Sequence, residues 1–339
     1  NLMQWHHYDN SRVLPWKKES DPYKIWLSEI IMQQTRVEQG MPYYERFTEL
    51  YPTIQDLAAA PDEEVYRLWQ GLGYYNRCKN LLETARFSAN DRKGQFPDTF
   101  EEILKLKGVG SYTAAAIASF AYALPYAVVD GNVQRVLARY FGIETAVDTT
   151  EGKKYFQSLA QELLDTEQPD LYNQAIMDFG ALICKPAIPL CKECVLRPKC
   201  VAYRNNMISL LPVKLKKNKQ TKRYFHFLLL HHKDHIWIQQ RTGKDIWLHL
   251  HQPYLVEHDR QLAADELQKM TAMKDVLFEY QGSGVQKLSH QIIASEFYFV
   301  NFSNRPSIDK NGMWVALKEL KKLASPNTIV SFFEKKGYF

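Results

Sequence analysis

The chain has 339 residues, 45% of them hydrophobic and 24% charged, long enough for two domains that each bury a sizeable core. Lys and Arg exceed Asp and Glu by 43 to 38, and the excess is local, because residues 214–223 (KLKKNKQTKR) carry six cations and no acid. No run of eighteen apolar residues and no apolar signal segment is present, which argues against a membrane-spanning helix and against a small secreted disulfide framework.

In chain order, the first chemically unusual segment is IWLSEIIMQQT, residues 25–35. Glu29 shares a helical face with Ile25 and Met32, at i−4 and i+3, inside an otherwise apolar stretch. Burial there would disfavour its charged form and give a general acid near neutral pH, whereas a glutamate at the edge of the stripe would keep its head in solvent. Apolar spacing at Val65, Leu68 and Trp69, and again at Val133, Val136, Leu137 and Tyr140, predicts a mainly helical first two hundred residues. Pro61, Pro97 and Thr149 are expected starts, and Gly142 and Gly180 expected terminators.

The segment LKGVGSYTAAAI, residues 106–117, sets Gly108 and Gly110 before a helix-forming run. With EEILKL before and TAAAIASFAYAL after, it reads as two helices joined by a glycine hairpin, whose free backbone N–H groups suit a DNA phosphate. In LPYAVVDGNVQRVLARYFG, Asp130 stands between an apolar stretch and an amphipathic helix and is expected to cap it. A capping carboxylate is fixed in direction and held ionised, as a stabiliser of a developing cation must be. Two carboxyls in contrasting environments, Glu29 and Asp130, match the requirement for breaking a glycosidic bond.

Cys184, Cys191, Cys194 and Cys200 follow in the pattern C-x6-C-x2-C-x5-C and predict a metal centre. Zinc sites pair their ligands in short knuckles and only Cys191 and Cys194 do so here, so the unequal intervals favour an iron-sulfur cube while leaving zinc open. Lys192, Arg197 and Lys199 make the same loop basic. Beyond the basic stretch the texture changes to short aromatic-rich runs, YFHFLLL, HIWIQQR and SEFYFVNF, with helical patterns near 259–270 and 315–324. The expected organisation is therefore a helical domain over 1–212, a basic linker over 213–223 and an α+β domain over 224–339.

The ordered motifs LSEIIMQQTRV, GLGYYNR from Gly71, LKGVGSYTAAAI, VVDGNVQRV and the cysteine spacing resemble the helix-hairpin-helix DNA glycosylases that carry an iron-sulfur cluster, specifically the MutY-type adenine DNA glycosylases. The resemblance implies a 4Fe-4S cluster on the four cysteines and excision of adenine opposite 8-oxoguanine or guanine in duplex DNA after rotation of the base out of the stack. It implies Glu29 as the acid that protonates the leaving adenine, Asp130 as stabiliser of the oxocarbenium-like sugar, Tyr112 and Asn132 as orienting residues and Gln174 at the adenine edge. Gln34, Leu72, Tyr74, Gly108, Gly110, Arg197 and Lys199 would contact DNA.

The related endonuclease III-like enzymes place a strand-cutting lysine where this chain has Tyr112, and a phenol cannot form a Schiff base, so a monofunctional glycosylase is expected. The family's Leu-Pro-Trp-Arg is here Leu14, Pro15, Trp16 and Lys17, which keeps the charge and loses the planar fork. By the same resemblance the last domain is NUDIX-like and reads 8-oxoguanine through Leu288, Ser289 and His290, where the family commonly has Phe-Ser-His. No G-x5-E-x7-R-E-x2-E-E stretch occurs, so no nucleotide hydrolysis is expected. A monomeric enzyme of the bacterial cytoplasm and nucleoid follows. The rival readings are a non-catalytic lesion-sensing DNA-binding protein and an endonuclease III-like glycosylase and lyase.

Overall fold

The computed structural model describes residues 1–338 apart from 216–219, 272, 274, 275, 309 and 310. The middle of the basic stretch therefore lies outside the described residues. The chain divides into two compact units, one of residues 1–59 and 80–216, the other of residues 60–79 and 217–339. The division places residues 60–79 with the C-terminal sequence, although their apolar spacing is helical like that of the residues around them.

In the first unit the helices Leu2–Tyr8, Pro22–Met32, Val37–Leu50, Ile54–Ala59, Phe100–Ile103, Ser111–Tyr122, Gly131–Phe141, Thr150–Leu163 and Pro169–Leu182 follow in order. Several begin where a short polar side chain satisfies the orphan N–H groups of the first turn. Asp21 accepts from the Tyr23 N–H, Thr99 from Glu102 and Thr149 from Gly152, each such cap contributing about 1 kcal/mol. Trp5, Val133, Val136, Leu137, Phe156, Ile176 and Phe179 form one continuous core under the helices Gly131–Phe141 and Pro169–Leu182.

Gly142 ends its helix as expected, in the left-handed region at φ 72°. Gly180 does not end one. It lies within Pro169–Leu182, where a Cβ would stand 2.7 Å from the Asn132 Cβ and 2.9 Å from its carbonyl oxygen. A glycine is needed there for the approach of two helices, a requirement that a single sequence does not distinguish from a stop.

The second unit carries a six-stranded mixed sheet of β1 (Thr221–His232), β2 (His235–Gln240), β3 (His251–His258), β4 (Phe278–Lys287), β5 (Gln291–Asn301) and β6 (Met313–Ala316). The order is β4-β5-β1-β3-β2-β6, with β1 and β5 parallel from Thr221 opposite Gln291 to His231 opposite Asn301. The central strands β1 and β5 are the most apolar because both their faces are covered, and Phe297 of β5 stacks on Phe332 of the helix Asn327–Lys335 at 3.9 Å. The helical pattern near 259–270 becomes the helix Ala264–Thr271, and that near 315–324 becomes β6 followed by a 3-10 turn over Leu317–Lys322.

Candidate active site

Glu29 lies mid-helix in Pro22–Met32, flanked by Trp26, Leu27, Ser28, Ile30 and Ile31, all buried. Burial first, then the charge of Asp130, push its carboxyl up to about 7, while a hydrogen bond from Tyr112 pulls the other way. At neutral pH Glu29 is thus near half-protonated, the condition for a general acid.

Tyr112 occupies the second position of the helix Ser111–Tyr122 and packs on Ala115, Ala116 and Val128. Its hydroxyl is held well above the usual phenol range, by burial first and then by the charges of Glu29 and Asp130. It therefore stays protonated and donates to Glu29.

Asp130 caps the helix Gly131–Phe141. One carboxylate oxygen accepts the N–H groups of Asn132 and Val133 at 2.8 Å each, and the other accepts the Asn132 side-chain amide at 2.6 Å. The cap is the one expected, but burial outweighs these bonds and moves the carboxyl above its ordinary range. Asn132 in turn accepts from Arg135 at 2.8 Å, and Arg135 reaches the carbonyls of Cys184 and Gly180 at 2.7 Å each. The irregular segment leading to Asp130 is pinned by buried Asn173, which accepts from the Val128 N–H at 3.0 Å and donates to Ser119 and to the Tyr126 carbonyl at 2.9 Å each.

The hairpin departs from the helices Phe100–Ile103 and Ser111–Tyr122 as expected. Gly108 is at φ +77° with a Cβ position 2.8 Å from the Asn80 amide, and Gly110 faces open space and caps its helix without a side-chain bond. A residue that sequence reasoning overlooked braces this turn: Gln33 donates to the Gly108 carbonyl and to the Thr113 hydroxyl, both at 3.2 Å. Its neighbour Gln34 is exposed at φ 54°. Gln174 is half-buried on Pro169–Leu182, one turn before Asp178.

Asp178 was also overlooked. This buried carboxylate receives Asn10 at 2.8 Å, Arg12 at 2.9 Å and the Lys17 ammonium. Lys17 also donates to the Arg12 carbonyl at 2.9 Å, so its charge is engaged inside the protein. The acid's position in a helix made it look like an ordinary polar residue.

The four cysteines of the loop are free thiols, Cys200 buried and the others half-buried. Among the described residues no group of three or more Cys, His, Asp or Glu side chains is placed to hold a metal ion. Burial first, and then the nearby Cys184 sulfur, nevertheless raise the thiols of Cys191, Cys194 and Cys200 above the ordinary range, with Cys200 adding to the effect at Cys191 and Cys194. Arg139 lies 3.6 Å from the Cys184 sulfur and binds the carbonyls of Lys185 and Pro186 at 2.7 and 2.8 Å. Arg197 is half-buried over the Tyr203 ring, and Lys199 is exposed.

In the second unit the turn after Trp69 is locked from within. Gly71 and Gly73 have φ of 97° and 78°, Tyr74 has φ 49°, and the Gly73 carbonyl accepts from Trp69 at 3.0 Å and from Arg77 at 3.2 Å. Leu72 is 4% exposed, inside the protein and not at the surface where a DNA contact was expected, because the turn directs its neighbour outward instead. Tyr74 is 41% exposed. Leu288, Ser289 and His290 form the β4–β5 turn, with Ser289 and His290 exposed and Leu288 half-buried. The Ser289 hydroxyl is hydrogen-bonded to that of Tyr74, and the Gln220 amide holds the Leu288 carbonyl at 3.0 Å.

A family model described as HhH-GPD superfamily base excision DNA repair protein matches residues 27–165. An adenine DNA glycosylase of Buchnera aphidicola (subsp. Schizaphis graminum) is 32% identical over 340 residues, spanning 98% of this chain and 96% of its own. The mouse adenine DNA glycosylase is 42% identical over 62% of this chain and 43% of its own. Among solved structures, a thermostable thymine-DNA glycosylase aligns with a TM-score of 0.56 and 32% identity, over 60% of this chain and 94% of that one. Endonuclease III in a non-covalent DNA complex shares the fold, with a TM-score of 0.52 and 23% identity over 60% of this chain and 94% of that one.

Proposed function

The chain belongs to the adenine DNA glycosylases, a base-excision repair family acting on duplex DNA, and from that premise we propose that it removes adenine paired with 8-oxoguanine or guanine without cutting the strand. The observation that carries the reading is the buried pair, Glu29 held up to about 7 and bonded by Tyr112, beside Asp130 fixed by three hydrogen bonds.

With the adenine turned out of the duplex, the Glu29 carboxyl delivers its proton to the five-membered ring of the base. The C1′–N bond then breaks with its electron pair leaving on adenine. The cationic sugar forms beside the Asp130 carboxylate, and water adds at C1′ and passes its proton to the carboxylate that Glu29 has become. Asn132 and Arg135 keep Asp130 aimed, and Tyr112, lacking an amine, offers no route to a Schiff base. Gln174 would meet the adenine edge, while Gln34, Tyr74 and the hairpin around Gly108 and Gly110 would hold the opened duplex.

Cys184, Cys191, Cys194 and Cys200 would hold a 4Fe-4S cluster, the group whose four corners a set of four cysteine sulfurs at unequal intervals suits. When bound, the cluster would fix the loop that carries Arg197 and Lys199 toward DNA phosphates. Fresh protein purified without oxygen is expected to carry about four irons per chain.

The mixed-sheet unit would act as a NUDIX-like reader of 8-oxoguanine through Ser289 and His290. A single-turnover assay on duplexes with adenine opposite 8-oxoguanine, guanine or cytosine tests the whole reading. Release of adenine from the first two, with strand breaks appearing only after alkali, is expected. Retention of adenine in every duplex, or strand breaks without alkali, would overturn it.

A further inference from the structure

Beside the carboxylate pair, in the same unit, runs a groove of about 850 Å³ whose lining includes Ser111, Tyr112, Gln134, Lys153, Lys154 and Gln157. One wall is Tyr112, whose hydroxyl donates to Glu29, so the groove abuts the reacting centre. The opposite wall is one face of the helix Thr150–Leu163, where Lys153, Lys154 and Gln157 fall at i, i+1 and i+4. Both lysines are exposed, and among the described residues neither has a carboxylate partner, unlike Lys17 and Lys24 of the same unit. Two adjacent unpaired ammonium groups raise the local potential against the single carboxylate of the lining, Glu162, and the other polar groups, the hydroxyls of Ser111 and Ser158 and the amides of Gln134, Gln157 and Gln161, bond oxyanions without distinguishing bases.

We propose that this groove seats the sugar-phosphate backbone beside the nucleotide that loses its base, with Lys153 and Lys154 neutralising two phosphates. The inference rests on the reading of the substrate as adenine in duplex DNA. Each strand of duplex DNA supplies a charge every ~3.4 Å of axis, so one backbone lying along the helix face offers successive phosphates to both lysines. Their role is to add affinity that is independent of sequence and to fix the register of the strand against Tyr112.

The test is the salt dependence of binding. The full chain is titrated by fluorescence anisotropy against a duplex bearing 2′-fluorinated deoxyadenosine opposite 8-oxoguanine, which resists excision, at potassium chloride concentrations from about 50 to 200 mM. Native protein is compared with Lys153→Gln/Lys154→Gln, with Lys153→Arg/Lys154→Arg, and with Lys269→Gln as a control from the second unit. Loss of two phosphate contacts makes the slope of log K against log salt shallower by about 1.8, a difference of roughly tenfold in affinity lost over that range.

The glutamine pair is expected to show that change, and the arginine pair and the control to keep the native slope. An unchanged slope in the glutamine pair, or an equal loss in the arginine pair, would overturn the proposal. Failure of native protein to release adenine, with the slope change present, would overturn the substrate reading and leave the groove standing.

Discussion

Replacing Glu29 with glutamine separates chemistry from stability in opposite directions. The Glu29 carboxyl is held near 7 against an ordinary value of 4.5, about 2.5 pH units, or on the order of 3 kcal/mol between its two protonation states. Because the folded value lies above the unfolded one, the stabilisation is fully present below the unfolded value and is lost as pH rises through about 7. The amide imitates the neutral carboxyl at every pH. The variant should therefore lie within about 1 kcal/mol of native protein at pH 5 and exceed its stability at pH 9 by up to about 3 kcal/mol. Excision should fall by about 10²- to 10⁴-fold, since an amide cannot deliver the proton. Native excision should likewise decline as pH rises through about 7, where the acid ionises. Urea unfolding at the two pH values and single-turnover excision supply the measurements. Parallel loss of stability by both proteins between pH 5 and pH 9 would refute the raised carboxyl, and undiminished excision would remove Glu29 from the reaction.

Asp130→Asn removes a charge that pushes Glu29 upward, so the Glu29 titration, followed by NMR of 13C-labelled glutamate, should move down while burial keeps it above the ordinary range. Gly180→Ala inserts a Cβ 2.7 Å from the Asn132 Cβ; about 1–3 kcal/mol of stability should be lost in thermal unfolding, and excision should fall more than duplex affinity as Asn132 shifts from Asp130. Asp178→Ala leaves Arg12 and Lys17 without their buried acid and should cost about 3–5 kcal/mol in urea unfolding.

What could be read from the sequence were features with a local cause. The Asp130 cap follows from a carboxylate placed before an amphipathic helix, and the raised Glu29 from one acid in an apolar run. The apolar strands β1 and β5 announce themselves because both faces are covered, whereas β4, an edge strand with mostly polar and glycine positions, carries no comparable signal. Leu72 misled because a leucine between two glycines shows neither which way the turn directs it nor that Trp69 and Arg77 lock it inward. Asp178, Gln33 and Gly180 act through partners at least 48 residues away in sequence, at Lys17, Gly108 and Asn132, so no window of neighbouring residues contains their role.

The distance between the reacting centre and the cysteine loop is bridged by charge that has nowhere else to go. Arg135 and Arg139 are 8% and 3% exposed, and burying a guanidinium is costly unless its donors are met. The loop meets them with backbone carbonyls at Cys184, Lys185 and Pro186, and Arg139 also donates to the Leu211 carbonyl at 3.0 Å. Unravelling the loop would withdraw the Cys184 carbonyl from Arg135, which keeps Gly131, Asn132 and Gly180, and would leave Arg139 with the Leu211 carbonyl in place of three acceptors. Arg135 also holds the Asn132 side chain, which in turn holds the second oxygen of Asp130. One chain of hydrogen bonds, from the Cys184 carbonyl through Arg135 and Asn132, therefore connects the carboxylate to a loop that never touches it. Second-sphere partners of this kind set the direction of a catalytic group even where they take no part in the bond that breaks.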